Sequence, residues 1–168
     1  MGLDVSAIAR VELTPEHAWG QDCEDDDHVL AVTLDFPRSS RGLIEGRCYR
    51  VDGPVHGFRA GSYDAYDHFR IRLCEAALGI PFGTLLLDPV AYADEPFYEL
   101  LNFGDTEGTI GSEAARDLAG DFAAGRDTVL PAMLAATPPA DRAWLAQLWE
   151  DWSKAFELAG PGGLVLFG

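Results

Sequence analysis

Residues 57–72, Gly-Phe-Arg-Ala-Gly-Ser-Tyr-Asp-Ala-Tyr-Asp-His-Phe-Arg-Ile-Arg, constrain the fold more than any other stretch of the chain. Phe58-Arg59-Ala60 closes a β-type run, and Gly61 allows the backbone a sharp reversal. Ser62 is placed to cap a helix, and Asp64 supports that helix's positive end. Tyr66, Phe69, Leu73 and Ala76 or Ala77 then share one helical face, until Gly79 stops it. A strand that turns straight into an amphipathic helix predicts a domain in which sheet and helix pack on each other.

The flanking sequence sorts into strands before this junction and helices after it. Leu3–Leu13 is β-prone, and residues 28–36 alternate as a second strand. Residues 43–51 and 54–59 flank Asp52-Gly53, a hairpin signal, with Pro54 at a strand start or edge. Residues 37–41 read as an exposed loop, and residues 80–95 as an irregular segment pinned by a buried patch around Leu85-Leu86-Leu87. Pro96 suits the first turn of a short helix that runs to about Asn102. Ser112 caps a helix with Ala115, Leu118, Ala119 and Phe122 on one face, and residues 127–136 add a short helical piece. Thr137-Pro138 opens the last helix, whose stripe carries Leu148, Trp152, Ala155 and Phe156. Trp144, Trp149 and Trp152 are expected in the core and not in a ligand cage, and Trp149, off the main apolar face, is the one candidate among them for a contact surface. Leu164–Phe167 returns as a strand. No repeat or low-complexity linker divides the chain, so residues 1–168 form a single α+β domain. Its antiparallel sheet comes from the N-terminal half, and helices from the C-terminal half cover it.

Charge narrows the partners. The formal net charge is −16, with 12 Lys and Arg against 28 Asp and Glu. Sequence-independent nucleic-acid binding needs a positive field facing the phosphates, so it is excluded. A basic protein surface or a cation remains compatible, as does plain solubility. Cys23, Cys48 and Cys74 contain no CxxC pair, so a zinc site is not expected. Three widely spaced cysteines fit buried thiols in a reducing compartment. No apolar run reaches the roughly 20 residues that span a bilayer, and the first residues lack a secretory pattern; the expectation is a cytoplasmic protein without a membrane partner.

Two stretches carry candidate chemistry. At Arg59, Gly61, Ser62 and Tyr63, free N–H groups at a helix start and a guanidinium fork would hold a small anion. The plain alternative is a turn, a cap and a surface ion pair. The second stretch, residues 96–112, is read as a polar loop holding Asn102, Asp105, Glu107 and Thr109. Asp105, Glu107, Gly108 and Ile110 overlay part of a calcium loop. Phe103 and Ala114 occupy its first and last ligand positions, which removes the EF-hand reading. A weak metal site with help from Glu99 or Asp4 is the remaining metal reading, but no metal or other cofactor is assigned. No nucleophile elbow, HxxxH or HExxH spacing occurs.

Met1-Gly2-Leu3-Asp4, Phe58-Arg59-Ala60-Gly61-Ser62-Tyr63, residues 96–103 (Pro-Phe-Tyr-Glu-Leu-Leu-Asn-Phe) with Asp105, Glu107-Gly108 and Ile110-Gly111, and residues 155–159 (Ala-Phe-Glu-Leu-Ala) resemble a group of uncharacterised proteins of bacteria, phages and prophages. The resemblance runs nearly end to end. It implies a phage- or mobile-element-related role and carries no activity or catalytic residue with it. The first functional expectation is therefore a non-enzymatic binding protein. Its polar pocket for a small anionic ligand would lie between the Arg59–Tyr63 turn and the loop 102–109, with Arg59 beside Asp105 or Glu107. The alternatives are an acidic interaction protein, an inhibitor or mimic that occupies a basic surface, and a metal-assisted hydrolase using Asp105 and Glu107.

Overall fold

The computed structural model describes residues 2–14, 23, 28–31, 36–104 and 107–168. Among the described residues five antiparallel strands form one sheet: β1 (Leu3–Leu13), β2 (His28–Leu30), β3 (Cys48–Gly61), β4 (Gly108–Gly111) and β5 (Leu164–Phe167). Their spatial order is β2-β3-β1-β5-β4. The helices are α1 (Tyr63–Leu78), α2 (Phe82–Leu87), α3 (Tyr98–Asn102), α4 (Ser112–Gly125), α5 (Val129–Ala135) and α6 (Arg142–Ala159), with a 3-10 turn at Pro89–Tyr92. The α+β class is as expected, and every helix among the described residues follows the strand–helix junction at Gly61. The N-terminal half supplies β1 to β3, while β4 and β5 come from the C-terminal half. Among the described residues, no helix is long and apolar enough to cross a membrane.

Asp52-Gly53 does not make a hairpin. β3 runs straight through it, and its partner register on β1 jumps from Ile8–Val55 to Arg10–Asp52. One residue, Ala9, therefore faces two, Gly53 and Pro54. That is a β-bulge: Gly53 provides φ +100°, and Pro54, which has no N–H, sits where the ladder needs none. A second irregularity at Leu3–Gly61 and Asp4–Arg59 leaves Ala60 out of the pairing, just before the chain turns into α1. The turn-forming chemistry was legible; whether it reversed the strand or bulged it depended on β1.

The sheet separates two apolar clusters. Leu3, Val5, Ala7, Val165 and Phe167 face the helices, while Ile8, Leu164 and Val29 form a smaller cluster with Leu43 and Val51. This is the period-two alternation of strands buried on both faces. Helix α6 lies across β1, β3 and β5. Trp152 is fully buried there, with rings of Phe58, Tyr66, Phe156 and Phe167 within 5.8 Å of its own, centroid to centroid. Trp149 is core as well, which removes it as a candidate contact surface: it is fully buried and packed on Phe97 and Phe122. The apolar face of α6 is simply wider than one stripe, because α4 covers its second side.

Loop 37–43 runs along the outer edge of β4. Gly111 N donates to Ser39 O (2.7 Å) and Glu113 N to Arg41 O (3.1 Å). A side chain at Gly111 would collide with the Arg41 carbonyl, so glycine is required for this close approach. Covering the last strand in this way closes the β4 edge of the sheet to pairing with another chain. β4 itself falls in a stretch read as loop; with two glycines in four residues, its own propensity is low, and pairing with β5 creates it.

Cys23 and Cys48 are joined as a disulfide, with Cα atoms 5.9 Å apart. This corrects the expectation of three buried thiols: only Cys74 is free and buried. Burial pushes the Cys74 thiol up to about 11, aided by nearby Glu75, which keeps it protonated and unreactive at neutral pH.

Candidate functional site

The anion arrangement expected at the strand–helix junction is built differently. Gly61 has φ +100°, and Ser62 Oγ accepts from Ala65 N (3.2 Å). The helix thus spends one of its free donors on its own cap, and Asp64 in the first turn adds negative charge. Tyr63 is half-exposed. Arg59 is exposed, and its guanidinium lies over the backbone of Gly2.

Asp105 lies outside the described residues. Glu107 is exposed and lines a shallow cavity with Gly108 and Phe167. Thr109 is fully buried. Asn102 is half-buried and lines a different cavity beside Tyr98. The strand register carries Gly61 and Gly108 to the same end of the sheet: Gly61 pairs with Leu3, and Gly108 with Phe167, which pairs with Val5. Strands β1 and β5 stand between them, roughly 14 Å across at three strand spacings.

The two motif segments do meet, through α1. Tyr66 Oη donates to Phe103 O (2.9 Å). Arg70 Nη1 donates to Leu101 O (3.1 Å) and Phe103 O (3.0 Å). Arg70 is 5% exposed and stacks between the rings of Tyr66 and Phe82. Its positive charge sits on the carbonyl end of α3, where a helix terminus has unpaired acceptors. The Tyr66–Arg70 spacing on α1 and the 97–103 segment therefore form one unit, held by different residues from those first singled out.

A cavity of about 480 Å³ lies between residues 93–99 and α4. Between its lining residues Pro96 and Glu99 the chain passes through Phe97, an aromatic residue in the left-handed region (φ +62°). That conformation is uncommon for a bulky side chain. It is held because Phe97 N donates to Asp121 Oδ2 (2.7 Å) while the ring packs edge-on against Phe122. The bend aims Glu99 into the cleft. Glu99 is 6% exposed and paired with Arg41 (2.8 Å) and Arg38 (3.7 Å). Arg41 also binds Asp117 (2.7 Å), and Arg38 reaches Asp94 (3.5 Å). Arg116 enters from α4 and donates to Gly160 O. The lining thus holds the carboxylates of Asp94, Glu95, Glu99, Asp117 and Asp121 against the guanidiniums of Arg38 and Arg116.

Arg38 also lies over the Tyr98 ring (5.3 Å) and walls a second cavity of about 370 Å³. This one is more apolar, with Phe36, Pro37, Pro89, Val90 and Tyr98 in its lining. The two cavities share Arg38 and Ala93. The cleft offers no serine, cysteine or histidine nucleophile. Among the described residues, no group of three or more His, Cys, Asp or Glu side chains is arranged to hold a metal ion.

Burial raises the pKa of Asp121, against the hydrogen bond from Phe97 N, and the charges of Glu99 and Asp117 raise it further. A carboxyl whose folded pKa lies above its unfolded value contributes stability at low pH and loses it as pH rises through the folded value. Asp121→Asn keeps an acceptor for Phe97 N–H and removes the charge. Its thermal stability relative to wild type is therefore expected to improve between about pH 4 and pH 7. A flat difference across that range in parallel melts would show that Asp121 is not strained by its charge.

Of the acids in this cleft only Glu99 was named from sequence, as help for a weak metal site; Asp94, Glu95, Asp117 and Asp121 were not. Residues 37–41 read as an exposed loop, and Asp117 and Asp121 lie in a helix whose sequence pattern marks only its apolar face. The one available signal was Pro96-Phe97-Tyr98-Glu99 itself, whose resemblance motif includes the buried glutamate. No protein-family model, curated protein or solved structure matches this chain.

Proposed function

We propose that the chain is a non-enzymatic binding protein that engages a basic partner, with the cleft between residues 93–99 and α4 receiving a cationic side chain. The observation that carries this is the composition of the cleft. Five carboxylates line it, and its arginines are already engaged, Arg38 by Asp94 and Glu99, Arg116 by a backbone carbonyl. An arriving anion meets net negative charge, whereas a guanidinium or ammonium finds acceptors on the rim at Asp94 and Glu95. The overall charge of −16 acts in the same sense at longer range, steering a basic surface toward the protein. A small anion, the ligand expected from sequence for a different place, the Arg59–Tyr63 turn and loop 102–109, suits this lining poorly. The resemblance to bacterial and phage proteins suits a role in occupying a host or phage factor.

The reading is tested with an oligoarginine peptide and with citrate. The peptide is expected to bind by calorimetry and to raise the melting temperature, since a ligand of the native state stabilises it by mass action. Affinity should fall steeply with added salt. Asp94→Asn with Glu95→Gln, both at exposed positions, should weaken binding several-fold without changing the fold. Stabilisation by citrate and not by the peptide would restore the anion reading and end this one.

A further inference from the structure

The chain between α1 and α3 leaves large apolar side chains in water. Leu85 of α2 is fully buried, but Leu86 is 50% exposed, Leu87 88% and Val90 81%. The sequence predicts this run to be a buried patch. Instead, α2 is only six residues long, so it buries one side and the rest projects outward. Helix propensity does not require leucine at an exposed position, and scattered single exposures need no explanation. Here, however, three lie within five positions, and Val90 continues into the cavity lined by Phe36, Pro37 and Tyr98. Exposed Asp88, Asp94 and Glu95 border them.

We infer that Leu86, Leu87, Val90 and the adjoining Phe36–Tyr98 cavity form the apolar half of a docking surface for a basic, amphipathic protein segment. This rests on the proposed binding of a basic partner and specifies how that partner is held. Three occupants are open to an exposed apolar patch: a membrane, a second copy of this chain, or another protein. The cytoplasmic leaflet of a membrane is negatively charged and attracts basic segments, so an acidic rim opposes it. A second copy brings another −16 charges to the interface. A basic segment is attracted by the rim and finds apolar surface inside it. The geometry suits such a ligand, because Arg38 and Ala93 are common to both cavities. An apolar side chain in the Phe36–Tyr98 cavity then places a neighbouring lysine or arginine of the same segment beside the acidic cleft. Central apolar anchors with a charged rim are the usual anatomy of a protein interface.

The experiment compares two soluble peptides of equal charge, one repeating Leu-Lys-Lys-Leu and one repeating Ser-Lys-Lys-Ser, by calorimetry on the full chain. The leucine peptide is expected to bind about tenfold more tightly, the worth of burying one or two apolar side chains. Leu87→Ser with Val90→Ser should abolish that advantage and leave the serine peptide unaffected. Both positions are exposed enough for the variant to fold, which an unchanged melting temperature confirms. Asp94→Asn with Glu95→Gln should weaken both peptides. Equal binding of the two peptides overturns the apolar half and spares the basic-partner reading; binding of neither overturns both. Sedimentation of the wild type as a dimer that the Leu87–Val90 variant dissociates would reassign the patch to a second copy. Patch-dependent binding to phosphatidylcholine vesicles would reassign it to lipid.

Discussion

Replacing Trp152 with alanine is expected to destabilise the domain by about 3–5 kcal/mol, the range for deleting a large buried aromatic side chain. For a chain of this length that corresponds to a fall in melting temperature of roughly 6–20 °C. Trp152 is fully buried and is the ring through which the helical layer meets the sheet. It stacks on Phe156 one turn along α6, meets Phe58 of β3 edge-on at 5.0 Å, and reaches Phe167 of β5 at 5.5 Å. Tyr66 and Phe69 of α1 close its other side. A void there is walled by four different elements, α1, α6, β3 and β5, and cannot collapse by moving one of them. Trp152→Phe separates volume from chemistry. The indole N–H finds no acceptor among the described residues, so removing it has no hydrogen-bond cost, and the expected loss is below about 1.5 kcal/mol. Denaturant titrations followed by far-UV circular dichroism measure both variants. Equal losses for alanine and phenylalanine would mean that an unseen partner of the indole, and not packing, carries the effect.

The position of Trp152 was legible in the sequence, and so was most of its cluster. Tyr66, Phe69, Phe156 and the terminal strand all announce themselves by helical or β periodicity, a local property of the chain. So does the junction at Gly61-Ser62, where turn and cap chemistry act over four residues. What could not be read depends on pairing between distant segments. Asp52-Gly53 forms a bulge instead of a hairpin because β1 is long enough to accompany β3 past it. Gly108–Gly111 becomes a strand because β5 is there to pair with it. Leu86 and Leu87 stay exposed because α2 ends after six residues, which no apolar count reveals. The cleft belongs to this second group: Glu99 meets arginines 58 and 61 positions earlier in the chain, and Asp121 serves a backbone N–H 24 positions before it.

Arg70→Met is expected to cost about 2–4 kcal/mol, although it keeps nearly the same length of apolar side chain. The guanidinium fills a specific need. Two carbonyls at the end of α3, those of Leu101 and Phe103, have Arg70 Nη1 as a shared donor, and the site is buried. A methionine leaves the Leu101 carbonyl without that bond and the Phe103 carbonyl with Tyr66 alone. It also removes the charge stacked on Tyr66 (4.7 Å) and Phe82 (5.2 Å), where a desolvated cation over an aromatic face is worth most. Arg70→Lys should recover only part of the loss, because an ammonium keeps the charge but not the planar fork. The effect should be greatest at α3, so amide hydrogen exchange at Leu100 and Leu101 is expected to accelerate beyond the global change in stability. Helix α3 carries Glu99, and with it the arginine pairs that shape the cleft. Loosening it should therefore also weaken binding of the oligoarginine peptide, even though Arg70 does not line the cleft. If Arg70→Met leaves α3 exchange and peptide binding at wild-type values, then the α1–α3 contact is passive packing, and the coupling between the two motif segments has no functional consequence.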